Sequence, residues 1–212
     1  MARITKKQQC ALSAVEALKE KYPEALCSLT AETPFQLLVA VRLSAQCTDA
    51  RVNLVTPALF ARLPDADAFA NAEVEEIEEL IKSCGLYKTK AKDLKKLGIT
   101  IRDEWQGELP KTLEELVKLP GVGRKTANLI CGDIYGLPAV VADTHCIRIS
   151  NRLGLVSSKD PKKVEDELRK LLPPEESNDF CHRLVLFGRD VCSARNPGCD
   201  NCCMKGFCPK KI

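Results

Sequence analysis

Four cysteines near the end of the chain are spaced closely enough to act together. They are Cys192, Cys199, Cys202 and Cys208, in the pattern Cys-x6-Cys-x2-Cys-x5-Cys. Four thiolates in so short a loop suit a 4Fe–4S cluster or a single tetrahedral ion, and a zinc site is the main structural alternative. Zinc sites with four cysteine ligands commonly use two Cys-x2-Cys pairs, and this loop has only one. Cys203 falls out of the register and is left unassigned.

A second group of residues could bind an anion. Residues 119–127 read LPGVGRKTA, between a predicted helix over residues 113–118 and another that begins near Arg124. Gly121 and Gly123 permit positive φ and leave the backbone uncovered. The first amides of the second helix lack intrahelical acceptors and lie at the positive end of its dipole, where a phosphate is a natural partner. We therefore expect Gly121, Val122, Gly123 and Arg124 to contact a DNA backbone without reading its sequence, the alternative being a plain packing corner between two helices.

Two further residues suggest covalent chemistry. Lys125 falls in the first turn of the second helix, where the dipole and partial desolvation would disfavour its ammonium form and favour a nucleophilic amine. The alternative is a surface lysine that contacts phosphate as a point charge. Asp143 precedes another predicted helix, so it suits an N-cap and also an acid–base partner for Lys125. His145 either orients Asp143 or forms a hydrogen bond within the structure.

The elements that must position these residues are helices. Thr33 and Thr112 each begin a capping-box pattern, with Gln36 and Glu115 three residues later. Residues 37–43 are apolar nearly all round and predict a buried helix, whereas residues 88–105 predict a basic, more exposed one. No alternating strand pattern of useful length is present, so the sequence predicts an all-α protein.

Composition limits the possible classes of protein. The 212 residues are 45% apolar, enough to form real cores, and the net charge of +3 neither requires nor excludes a nucleic-acid partner. No run approaches the roughly 18 apolar residues of a membrane helix, and the polar opening residues lack a signal-peptide pattern. We therefore expect a soluble, cytoplasmic protein with no membrane contact, whose 12 cysteines are thiols or metal ligands rather than disulfides.

Together these features resemble the endonuclease III family of the helix–hairpin–helix DNA glycosylase superfamily. The resemblance covers nearly the whole chain and includes residues 43–49 (LSAQCTD), residues 85–91 (GLYKTKA), the hairpin, residues 143–145 (DTH) and the cysteine loop. It implies two helical lobes. Residues 1–24 and 133–212 would form an N- and C-terminal lobe whose loop 192–208 holds one 4Fe–4S cluster. Residues 25–132 would form a six-helix lobe, with the helix–hairpin–helix at about 112–132.

The resemblance also implies an activity. The chain would act as a monomer on damaged double-stranded DNA, remove oxidised pyrimidines and cleave the abasic site by β-elimination through a Schiff base on Lys125, with Asp143 as partner. Gln46 would fill the gap left by the flipped base, the alternative being a polar residue that ends the helix over residues 37–43, and Leu86 would be an opposite wedge. His145 and Arg195 are further expected DNA contacts, although a solvated charge is an equally good interpretation of Arg195.

Two other functions fit parts of the pattern. An adenine or mismatch-specific glycosylase of the same fold would lack a lysine at position 125, so Lys125 argues against it. A non-catalytic DNA-binding protein with a structural four-cysteine metal site would use the same hairpin and basic residues.

Overall fold

The computed structural model describes residues 4–210, in which every regular element is a helix and none is a strand. The all-α prediction is therefore confirmed. Two short 3-10 helices, Pro174–Glu176 and Cys199–Asn201, accompany the α-helices. The α-helices are α1 (Lys6–Lys21), α2 (Pro34–Ser44), α3 (Asp49–Arg62), α4 (Ala66–Asn71), α5 (Val74–Leu80), α6 (Tyr87–Trp105), α7 (Leu113–Leu116), α8 (Arg124–Asp133), α9 (Thr144–Arg152), α10 (Pro161–Arg169) and α11 (Ser177–Asp190).

The chain divides into two compact units. Unit 1 consists of Met1–Leu26 and Gly136–Ile212, and unit 2 of Cys27–Tyr135. The sequence-based boundaries lie a few residues away, at 24/25 and 132/133; the ends of the predicted first lobe, residues 1–3 and 211–212, lie outside the described residues. Unit 2 contains six helices of six or more residues, together with the single-turn helix α7.

Side-chain caps begin many of the helices, among them α2, α7 and α9. Thr33 accepts a hydrogen bond from the amide of Gln36, with proline at the first position of α2, and Thr112 accepts one from the amide of Glu115. The capping box at Thr33 is only half formed, because the Gln36 side chain accepts from the amide of Glu32 instead. These local bonds fix where each helix begins.

The core of unit 2 forms around α2 and α6. Helix α2 is buried over most of its length, as its apolar sequence predicts. Helix α6 is not the exposed helix expected from its charges, because one face packs on α4. At Gly98, a Cβ atom would lie 2.8 Å from the backbone of Ala66 and Ala70, so glycine is required for this close approach. The basic residues counted along α6 include Lys90, which is fully buried.

The core of unit 1 joins the first helix to the last. Helix α11 packs against α1 and α9. Arg183 on α11 is only 3% exposed, and its guanidinium forms ion pairs with Glu176 and Asp179 and donates to the carbonyl of Tyr22. This buried arginine therefore ties the end of α1 to α11.

Candidate functional site

The predicted hairpin is present between α7 and α8. Its lead-in helix is shorter than expected and ends at Leu116. Gly121 adopts a φ of +73°, and a Cβ atom there would lie 2.8 Å from Nε of Arg42. Both the backbone conformation and the close approach of Arg42 therefore favour glycine at this position. Val122 is buried and its amide donates to the carbonyl of Leu119 at 3.1 Å, which anchors the tip of the turn.

Gly123 has a different role from the one predicted. Its φ is −89°, an ordinary value, and a Cβ atom there would meet open space. It is the N-cap of α8, and it has no side chain with which to cap the first turn. The amides at the start of α8 therefore receive no acceptor from their own N-cap residue, which keeps the positive end of the helix available to an external anion.

Lys125 lies in the first turn of α8, as predicted, and is exposed. The chain itself therefore does not supply the partial desolvation expected from the sequence. Only a bound substrate that excludes water from this turn would do so. Arg124, immediately before it, is exposed as well. The hairpin thus places two cations at the start of one helix.

Asp143 is the N-cap of α9 and is half-buried. Its Oδ1 accepts a hydrogen bond from the amide of Cys146 at 2.7 Å, and its own amide donates to the carbonyl of Val141 at 2.8 Å. Val141 and Ala142, which lead into it, are buried. The carboxylate is therefore held firmly by both its side chain and its backbone.

His145 packs inside unit 1 beside α11. Its Nδ1 lies 3.2 Å from Nη2 of Arg148, and a Cβ atom on Gly188 would approach Nδ1 to 2.3 Å. Arg148 also donates to the carbonyl of Cys192 at 3.1 Å. His145 thus follows Asp143 in the sequence, and these contacts of its ring belong to the packing of α9 within unit 1.

The four predicted cysteines line one pocket in unit 1. Burial raises the pKa of the Cys202 thiol, the amide of Met204 lowers it, and the neighbouring thiols of Cys208, Cys192 and Cys199 raise it. Cys203 is exposed and does not line the pocket. Within the described part of the chain, no three His, Cys, Asp or Glu side chains are grouped in a way that could hold a single metal ion.

Sequence reasoning missed an arginine at this pocket. Arg152, at the end of α9, donates to Sγ of Cys192 at 3.3 Å and to the carbonyls of Ser193 and Ala194 at 2.7 and 2.8 Å. It therefore fixes the start of the cysteine loop through three hydrogen bonds. Its position as the basic residue in the last turn of α9 gave no sign of this role, because the partners lie 40 or more residues later. Arg195, in the same loop, is exposed.

Gln46 and Leu86 lie in two loops of unit 2 that are in contact. Both side chains are exposed and both residues have left-handed backbones, with φ values of +54° and +59°. A Cβ atom on Gly85 would lie 3.1 Å from the carbonyl oxygen of Gln46. Two non-glycine residues in this strained region, side by side on a surface, are typical of a functional site.

No helix within residues 4–210 combines the length and apolar character needed to cross a membrane.

Comparison with known proteins gives similarities along nearly the whole chain. The family model described as HhH-GPD superfamily base excision DNA repair protein matches residues 39–174. The chain is 47% identical to endonuclease III of Synechocystis sp. over 210 residues, which cover 99% of this chain and 96% of that relative. It is 44% identical to endonuclease III of Bacillus subtilis over 195 residues, covering 92% and 89% of the two chains.

Solved structures give the same result. A structure described as a trapped endonuclease III–DNA covalent intermediate matches with a TM-score of 0.90 and 41% identity, covering 98% of this chain and 97% of that one. A thermostable thymine-DNA glycosylase shares the fold, with a TM-score of 0.85 at 22% identity.

Proposed function

The chain belongs to the HhH-GPD superfamily of base excision DNA repair proteins, and from that premise we propose that it excises oxidised pyrimidines from double-stranded DNA and cleaves the resulting abasic site by β-elimination. The observation that carries this proposal is Lys125, an exposed amine in the first turn of α8 directly after the hairpin. A relative that is 41% identical was solved as a trapped covalent intermediate with DNA, which supports a covalent route. The enzyme works as a monomer on duplex DNA at the nucleoid.

The proposed reaction uses Lys125 as nucleophile and Asp143 as its acid–base partner. The neutral amine attacks the sugar carbon C1′, the bond from C1′ to the damaged base breaks, and the departing base takes up a proton. The amine gives its own proton to the carboxylate of Asp143, whose position is fixed by its bond to the amide of Cys146. The sugar ring opens to a Schiff base between Nζ and C1′, and loss of a C2′ proton then expels the 3′ phosphate.

The hairpin supplies the main grip on the DNA backbone in this proposal. The amides at the start of α8 bind one phosphate, with Gly121, Val122 and Gly123 leaving room for its close approach. Arg124 adds a positive charge next to this phosphate, and Arg195 contacts a second one. Bound DNA also removes water from around Lys125. This removal favours the neutral, nucleophilic form of the amine, which is exposed without DNA.

Base flipping is assigned to the two strained loops. Taking a nucleotide out of the stack costs a few kcal/mol, and the gap it leaves must be filled. We assign the filling role to Gln46 and the opposite wedge to Leu86, because both are exposed, adjacent and held in a left-handed backbone. His145 contributes to the DNA-binding face through the start of α9.

The cysteine pocket suits one 4Fe–4S cluster. Cys192, Cys199, Cys202 and Cys208 all line one pocket, which matches a group that takes one thiolate at each of four irons. When bound, the cluster supplies four metal–thiolate bonds that order a loop with little apolar content of its own. Arg152 holds the first ligand, Cys192, in place for it.

Reductive trapping tests the proposed function. The protein is mixed with duplex DNA that carries one oxidised pyrimidine, and borohydride is added to reduce a Schiff base to a stable amine. We expect a covalent protein–DNA band with the wild type and with Lys111→Ala, an exposed lysine upstream of the hairpin, and no band with Lys125→Ala. Base release without a band would indicate a glycosylase that uses water. Neither release nor a band on several lesions would indicate a non-catalytic DNA-binding protein.

A further inference from the structure

Lys90 is a fully buried lysine in the core of unit 2. It lies in the first turn of α6, its exposed fraction is 0%, and its Nζ donates to the carbonyl of Leu43 at 2.7 Å. Lysine is almost never fully buried unless it is paired, because removing an ammonium from water is costly. The bond to Leu43 therefore has to be of structural or functional value.

Its partner is the uncapped end of α2. The last carbonyls of a helix have no intrahelical donor, and a glycine in a left-handed conformation often satisfies them. Helix α2 ends instead at Ala45 with a φ of −59°, and the carbonyl of Leu43 receives its hydrogen bond from Lys90 on a different helix. The negative end of the α2 dipole also favours a cation at this point. Lys90 thus acts as a C-cap supplied by α6.

Lys90 is also connected to both strained loops. Gln46 follows Leu43 by three residues, in the loop that leaves the capped end of α2. Leu86 begins α6, and its carbonyl accepts a hydrogen bond from the amide of Lys90 at 3.0 Å. The side chain of Lys90 therefore fixes one loop and its backbone fixes the other, where Gly85 packs against Gln46.

The surroundings of the ammonium reinforce this link. Burial lowers the pKa of Lys90, while the thiols of Cys84 and Cys47 act in the opposite direction. Cys84 and Cys47 come from the two loops, and burial, followed by the neighbouring Cys47 thiol, raises the pKa of Cys84. The amine and the Leu43 carbonyl form a buried polar contact between α6 and α2, the two helices that these loops adjoin.

We propose that Lys90 is a positioning residue for base flipping, which holds the Gln46 and Leu86 loops in the conformation that fills the DNA stack. This inference rests on the proposed function. A left-handed backbone at a non-glycine residue persists only where surrounding contacts enforce it, and the bond from Lys90 to Leu43 is the contact that joins these two loops through the core. Without it, the end of α2 would relax and Gln46 would leave its position.

The test compares two DNA substrates that differ in whether a gap in the base stack must be filled. Base release is measured in single turnover on duplex DNA with one oxidised pyrimidine, and strand cleavage is measured on single-stranded DNA with a preformed abasic site. Rates are divided by the fraction of protein that borohydride can trap, so that loss of folded protein is removed from the comparison. The variants are Lys90→Met, Gln46→Ala and the double variant, and the matched control is Lys96→Met, an exposed lysine on the same helix.

We expect Lys90→Met to slow base release from the duplex about tenfold, the effect of losing one charge-assisted hydrogen bond, and to leave single-strand cleavage unchanged. The double variant should release the base no more slowly than Gln46→Ala alone, because Lys90 acts through Gln46. A fluorescent base analogue opposite the lesion should show a smaller signal change with Lys90→Met than with the wild type. Lys96→Met should behave as the wild type does.

Two results would overturn the proposal. Equal losses on both substrates, or additive losses in the double variant, would mean that Lys90 only stabilises unit 2. If Lys90→Met does not fold, Lys90→Gln, which keeps a donor, undergoes the same comparison and the same criteria apply. Failure of the proposed function is recognised separately, because the wild type itself would then neither release the base nor be trapped.

Discussion

The carboxylate of Asp143 accepts a hydrogen bond from the amide of Cys146 at 2.7 Å, so a single side chain is both the cap of α9 and the proposed acid–base partner. One oxygen is used in the cap, and the side chain is only half-buried. The cap holds the carboxylate in one orientation without requiring its negative charge, since a neutral amide oxygen caps a helix equally well. Substitutions at position 143 can therefore separate the capping role of this side chain from its acid–base role.

Asp143→Asn should abolish catalysis while leaving the fold intact. Asparagine retains the cap but cannot accept a proton, so we expect thermal stability near that of the wild type and a loss of base release of about a hundredfold or more. Asp143→Ala should lose the cap as well, which costs about 1 kcal/mol of unfolding free energy. Denaturation curves and single-turnover assays on both variants check this. Equal destabilisation by Asn and Ala would show that the cap depends on charge.

Gly121 and Gly123 offer a matched pair in the hairpin. Gly121→Ala places a Cβ atom 2.8 Å from Arg42 at a positive φ, so it should lower the unfolding free energy by more than about 1 kcal/mol and weaken binding to undamaged duplex DNA. Gly123→Ala meets open space at an ordinary φ, so its only cost is that alanine is a poorer N-cap than glycine, and it should lower the unfolding free energy less than Gly121→Ala. Chemical denaturation and binding titrations at fixed salt compare them. A similar loss of unfolding free energy in both variants would contradict this account of the hairpin.

Arg152→Met should release the cysteine loop. It removes three hydrogen bonds to residues 192–194, and bonds from a charged donor are each worth about 1.5–3 kcal/mol. We expect less iron per purified protein and faster bleaching of the brown colour by a chelator than in the wild type. Arg62→Met, which removes an exposed ion pair with Glu76, is the control. Purified wild type that contains zinc and no iron would rule out the cluster.

Acid should weaken the junction between α1 and α11. The hydrogen bond from Lys19 is the largest cause that lowers the pKa of Glu176, and Arg183 adds to it. A carboxylate with a lowered pKa stabilises the fold above its usual value of about 4.3, and this contribution is lost as the pH falls through the lowered pKa. Unfolding free energies of the wild type should therefore decline below about pH 4.3 more steeply than those of Glu176→Gln. If unfolding free energy falls equally with pH in the two proteins, Glu176 does not contribute to the acid sensitivity.

How far the sequence predicts this molecule depends on how local each interaction is. Thr33, Thr112 and Asp143 cap their helices through amides three residues later, so a short pattern was enough to find them. The contact of Lys90 with Leu43 spans 47 residues, and that of Arg152 with Cys192 spans 40. A charged residue on a predicted helix gives no indication that it is buried, because only the packing of α6 against its neighbours decides that.

The candidate site likewise has features that the sequence predicts and features that it does not. The cysteine spacing places all four thiols in one pocket because the loop is short. The hairpin pattern located its turn correctly, and of the two glycines that permit a positive φ only Gly121 adopts one. The desolvation expected for Lys125 depends on its surroundings in the folded chain, which the sequence does not give. In the structure the side chain is exposed.

The discontinuity of unit 1 has a consequence for protein synthesis. Helix α1 is translated first, yet its partners on and beside α11 are made last; Lys19, for example, pairs with Glu176, 157 residues later. All of unit 2 is available once Tyr135 has left the ribosome. Unit 2 can therefore fold during translation, whereas the apolar face of α1 has to wait for the C-terminal helices. A nascent chain arrested between Tyr135 and Ser177 would offer that face to a chaperone, and metal incorporation would be the final step of maturation.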